Sequence, residues 1–132
     1  MRFCSLLIAL LVALPASAQT AFPTGKLGGT VRPLAYRLEL EILPDQTTFS
    51  GTTEIDIQVD APTPLIHLHG NGLVVASATY TGAVGTRLAG TTQAGRYQQL
   101  DPTGVAAIDF AAPVPAGRGT LRIQYSAPLD KV

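Results

Sequence analysis

Apolar and polar residues alternate with a period of two through several stretches of this chain, and nowhere do they follow a sustained helical stripe. Over residues 35–43, Tyr36, Leu38, Leu40 and Ile42 alternate with Arg37, Glu39 and Glu41. Successive side chains on a strand point to opposite faces, so this segment is predicted to be a strand with one dry and one charged face. Pro44-Asp45 supplies the turn that follows. A second strand is expected over 49–59, with Phe49, Gly51, Thr53, Ile55, Ile57 and Val59 on one face and Glu54, Asp56 and Gln58 on the other. Its Thr and Ile content suits a pleated surface. Pro62 and Pro64 end it, because neither can donate to a ladder.

A short strand at 65–69 and a longer one at 73–80 follow, on either side of Gly70-Asn71-Gly72. The Gly- and Thr-rich middle, 82–104, holds short strands near 86–89 and 96–100. Alternation returns at 105–110 and at 120–125, where Leu121, Ile123 and Tyr125 face inward against Arg122 and Gln124. The run from Pro113 to Gly117 between them reads as a rigid corner. Short strands separated by turn signals predict an all-β fold, a curved antiparallel β-sandwich or saddle.

The beginning of the chain changes the size of this domain. Arg2 precedes the apolar run 6–14, Pro15 breaks that run, and Ala16-Ser17-Ala18 offers small residues at the positions a signal peptidase reads. Residues 1–18 are therefore expected to be a signal peptide, too short for a membrane anchor and removed on export to the periplasm or exterior. Cleavage leaves 114 of the 132 residues, with 19–30 as a flexible leader and 31–132 as one β domain.

Without Arg2 the chain has eight Lys and Arg against nine Asp and Glu. With no basic stripe, nucleic acid and a stable membrane attachment are not expected partners. The single cysteine, Cys4, leaves with the signal, so no thiol or disulfide chemistry is expected in the mature chain.

Candidate chemistry is sparse. His67 and His69 share one side of a strand, so both imidazoles have access to one metal ion. They are the only histidines, and a zinc site needs a further ligand, for which Asp56 is the candidate. The competing reading makes them polar residues on the wetter face. Glu39, Glu41, Glu54, Asp56 and Asp60 contain no evident acid–base pair; their spacing fits solvent faces of adjacent strands, with Arg37 and Arg122 placed to pair with them. Tyr36 and Tyr125 fall on the apolar phase and read as core residues. There is no G-x-S-x-G elbow and no P-loop spacing. No catalytic, cofactor-binding or metal-binding residue is therefore assigned.

The order of segments resembles a known family. Pro33-Leu34-Ala35-Tyr36-Arg37-Leu38-Glu39-Leu40, the strand from Phe49 to Ile57, Leu68-His69 followed by Leu73, and Pro113-Val114-Pro115-Ala116-Gly117 with Thr120 to Tyr125 are together similar to the N-terminal β domain of aminopeptidase N-like (gluzincin) zinc metallopeptidases. The resemblance implies a curved β domain packed against a catalytic domain. There a G-x-M-E-N loop holds the substrate amine and an H-E-x-x-H…E site holds zinc, which activates water. Neither motif occurs in this sequence, so the chain by itself is expected to be inactive and zinc is expected only in a downstream domain. The expectation is a truncated, non-catalytic scaffold that forms an active-site wall. The alternative is a free-standing periplasmic β-sandwich that binds a partner or sugar.

Overall fold

The computed structural model describes residues 27–85 and 89–129. The expected signal peptide and most of the leader lie outside these residues. Seven strands follow in order: β1 (Val31–Glu41), β2 (Thr48–Val59), β3 (Thr63–His69), β4 (Val74–Gly82), β5 (Thr92–Gln99), β6 (Val105–Val114) and β7 (Gly117–Pro128). All ladders are antiparallel. They join into one sheet in the order β1-β2-β7-β4-β5-β6-β3. The all-β, curved antiparallel expectation holds, in the form of a single sheet curled into a half-barrel.

The curl begins at a double corner. The β2–β7 ladder ends at Val59↔Gly117, and the β3–β6 ladder starts at Thr63↔Val114. Only residues 60–62 on one strand and 115–116 on the other separate the two ladders, and Pro62 and Pro115 fall within them. One long antiparallel ribbon is thus bent where proline removes ladder donors. The bend lays the inner faces of β3 and β6 over those of β2 and β7. Consecutive β6 and β7 do not pair; β4 and β5 lie between them in the sheet and join the two halves.

Between the folded halves lies one apolar cluster. Ile55, Ile57 and Val59 of β2 and Leu121 and Ile123 of β7 meet Ile66 of β3, Ile108, Phe110 and Val114 of β6, and Ala78 and Tyr80 of β4. No polar or charged residue is buried among the described residues. Tyr80 is completely buried and meets Phe110 edge to face, with ring centroids 6.3 Å apart. Its ring lies directly over Gly119, where any Cβ would overlap it. The Tyr80 hydroxyl has no hydrogen-bond partner among the described residues.

Two bulges displace the alternation that the sequence displays. Val31 and Pro33 oppose Val59 and Ile57. The register then shifts between Pro33 and Ala35, so that Tyr36, Leu38 and Leu40 face inward opposite Ile55, Thr53 and Gly51. Leu34 is the extra residue that changes the phase. This is why β1 begins four residues before the alternating stretch of the sequence. A second shift between Val75 and Ser77 does the same in β4. Of the strand expected at 86–89, residues 86–88 lie outside the described residues, and Ala89 makes an isolated bridge with Gly82.

Replacing Ile108, fully buried at the centre of the cluster, with alanine is expected to cost about 2–5 kcal/mol in urea unfolding. Tyr80→Phe keeps the ring and removes the orphaned hydroxyl, so it is expected to raise stability by about 1 kcal/mol. A fall in the urea midpoint of Tyr80→Phe would show that the hydroxyl has a partner.

Candidate functional site

The outer face gathers the charges. Glu54 stands opposite Arg37 on β1 and opposite Arg122 on β7. It accepts from Arg37 Nε at 3.1 Å and from Arg122 Nη1 at 2.8 Å. Asp56 accepts from both terminal nitrogens of Arg37, at 3.4 and 3.3 Å, and from the Thr120 hydroxyl at 2.9 Å. The cross-strand pairing expected for Arg37 and Arg122 is therefore present. At the corner, Arg32 donates to both oxygens of Asp60. This contact holds the Asp60 carboxyl below its ordinary range and raises the Arg32 guanidinium. Arg37 is likewise raised, first by its hydrogen bond to Glu54 and then by the charge of Asp56. Glu41 accepts from Ser50 Oγ at 3.3 Å. Glu54, Asp56 and Asp60 are thus ion-paired at a solvated surface.

His67 and His69 are not joined by the proposed third ligand, because Asp56 is committed to Arg37 and Thr120. No group of three metal-ligating side chains occurs among the described residues. No chemical step is derived through a metal ion.

The inner face is open over β1. A groove of about 610 Å³ is lined mainly by apolar side chains of β1, β2, β3 and β7, including Tyr36, Phe49, Ile55, Ile66 and Tyr125. Tyr125 packs against the core cluster. It meets Phe49 edge to face, with centroids 6.5 Å apart, and its hydroxyl lies 3.1 Å from Thr53 Oγ1. Its ring lies over Gly51, where an added Cβ would come within 2.9 Å of both this ring and the Leu40 side chain. Tyr36 corrects the expectation of a core residue. It has the inward phase yet is 64% exposed, because nothing described covers the β1 side of the groove.

Two polar devices escaped the sequence reading. Tyr97 donates its hydroxyl to the Gly70 carbonyl at 2.8 Å, tying β5 to the end of β3, and burial pushes its phenol up. Asp101 closes the β5–β6 turn: its Oδ1 accepts from Thr103 N at 2.9 Å, Thr103 Oγ1 at 2.8 Å and Val105 N at 3.1 Å. These bonds, led by the Thr103 side chain, hold its carboxyl below the ordinary range. The run Asp101-Pro102-Thr103-Gly104 carries the turn-residue signature that marks such a device. Both devices serve the fold and form no reaction centre.

A curled β domain with its charges outside, an apolar groove inside and no assembled reaction centre among its described residues has the character of one part of a larger protein. Residues 32–132 match the family model of the peptidase M1 N-terminal domain, and the chain belongs to that family. It is similar to an aminopeptidase N from Acetobacter pasteurianus, with 29% identity over 131 residues that cover 96% of this chain and 34% of the relative. The chain thus spans about a third of that protein's length. It is an N-terminal domain of an aminopeptidase N-like peptidase.

The outer network is solvated, so Glu54→Gln is expected to change stability by less than about 1 kcal/mol, an effect that shrinks further in high salt. The Asp101 turn has a definite pH sign. Because the folded-state pKa is depressed, its contribution is present above the unfolded carboxylate value and is lost as pH falls through the folded one. Asp101→Ala should therefore lower the melting temperature more at neutral pH than in acid. An equal loss at both would refute the role of the charge.

Proposed function

We propose that this chain acts as the exported, non-catalytic N-terminal domain of a zinc aminopeptidase, a scaffold that presents one wall of the active-site cavity to a following catalytic domain. One observation carries the reading: within the family-matched span, no polar or charged residue is buried among the described residues. Water-excluded acids, bases or nucleophiles are what the chemistry would require. The relative's name, aminopeptidase N, supports the parent activity, removal of N-terminal residues from peptides. The apolar run 6–14 followed by Ala16-Ser17-Ala18 supports export. A free-standing periplasmic binding module is the second reading, and it draws on the apolar groove beside β1.

The purified chain is expected to release no product from aminoacyl anilides, with or without added zinc. Zinc-dependent turnover by pure material would overturn the scaffold reading. An antibody raised against this domain should detect a band several times larger than the chain in periplasmic extract of the source. A band at the mature chain's own size would favour the binding module.

A further inference from the structure

The sheet is finished on one side and unfinished on the other. On β1, all four charged residues (Arg32, Arg37, Glu39 and Glu41) lie on the outer face, opposite Gln58, Glu54, Thr52 and Ser50. The inward residues Tyr36, Leu38 and Leu40 are apolar and largely exposed, with Leu38 at 59%. Ile42 and Leu43 extend this strip around the turn and are also exposed. β1 is an edge of the sheet as well, so half of its backbone ladder has no strand beside it among the described residues. A contiguous apolar strip joined to an open groove marks a surface built to be covered.

The path of the chain points to what covers it. Leu129, the last described residue before the C-terminus, donates its N–H to the Thr47 carbonyl at 2.8 Å. The chain therefore leaves β7 at the Thr47 end of the β1–β2 turn, the turn that also carries Ile42 and Leu43. In the Acetobacter relative about two thirds of the protein is not matched by this chain. We propose that the open inner face of β1 is a docking surface for the polypeptide that follows this domain in the longer peptidase, and that the segment seated over Tyr36, Leu38 and Leu40 is apolar and uncharged. Uncharged is specific here: no Asp, Glu, Lys or Arg lines the groove that Tyr36 borders, where His67 and His69 are the titratable side chains besides tyrosine, so an ionised residue placed in it would lose its hydration without a fixed counter-charge. The inference rests on the reading of this chain as the N-terminal part of a longer peptidase.

Neighbouring residues on opposite faces of one strand make the test specific. Leu38→Cys and Glu39→Cys are made singly, with Cys4→Ser, both in the short chain and in the longer polypeptide that carries it in the source. Native-state alkylation by a maleimide is then timed. In the short chain both introduced thiols should react quickly. In the longer polypeptide, Leu38→Cys should slow by at least about tenfold, as expected for a site that must open to react, and Glu39→Cys should not slow. Fast alkylation of Leu38→Cys in the longer polypeptide would overturn the docking surface and leave the scaffold reading standing. A source that makes only the short chain would remove both. Concentration-dependent protection in the short chain, with a dimer mass in sedimentation, would assign the face to a second copy and also overturn the inference.

Discussion

Opposite one another on a single antiparallel ribbon, residues 60–62 and 115–116 interrupt the hydrogen-bond ladder between Val59↔Gly117 and Thr63↔Val114. Neither interruption alone would turn the sheet, since an intact partner strand would hold the ribbon straight. Because they coincide, both strands change direction together. Ile66, Ile108 and Val114 then face Ile55, Ile57 and Leu121 across one core. The close approach of Tyr80 to Gly119 and its edge contact with Phe110 follow from that fold-over. Strands β4 and β5 complete the path between the halves, and Tyr97 ties β5 back to the end of β3 through Gly70. A flat sheet of the same strands would leave its apolar face in water; bending lets much of it cover itself.

That self-covering is incomplete, and the shortfall is local. The fully buried side chains come from β2, β4, β6 and β7, where two layers of the bent ribbon oppose each other. β1 lies beyond their reach at the sheet edge. Its outer face is satisfied by Arg37 bridging Glu54 and Asp56. Its inner face has the same apolar character as that of β2 but has no opposing layer among the described residues. Among the described residues, the charged face of this strand is thus paired and the apolar face is uncovered. Surface ion pairs contribute little to stability, whereas burying a leucine-sized side chain contributes about 1.5–3 kcal/mol. The larger reserve of unused stabilisation therefore sits on the inner side.

Much of this was legible in the sequence, and the exceptions have physical causes. β2 and β7 keep strict alternation through their central stretches, and their inward residues and the placement of Arg37 and Arg122 to pair with the acids could be read directly. The start of β1 was hidden because the bulge at Leu34 shifts the phase, leaving Val31 and Pro33 out of step with Tyr36 and Leu38. β4 carries a similar shift. Pro113 to Gly117 was read correctly as a corner. That β6 and β7 are not neighbours in the sheet was not legible, because pairing depends on the distant corner at 60–62. Tyr36 shows the deepest limit: periodicity reports which face a residue takes, and burial depends on whether another layer lies over that face. The candidate site divides the same way. That the acids pair with arginines was legible from spacing, while the commitment of Asp56 to Arg37 and Thr120, away from His67 and His69, needed the register.

Membership in the peptidase M1 N-terminal domain family gives these features a common logic. On the proposed scaffold reading, a domain that presents a wall to a catalytic neighbour needs a packed frame more than a reactive interior. The bent ribbon holds together through apolar packing, with no buried charge among the described residues. The strand with the least covered apolar face, β1, lies at the sheet edge, and the turn that leads from it into β2 holds Leu129, just past β7, through the Thr47 carbonyl. An edge that gains stability from whatever docks on it couples the order of this domain to the presence of its neighbour. Such coupling needs no dedicated switch: the same apolar area that leaves β1 unfinished in isolation would strengthen it on contact.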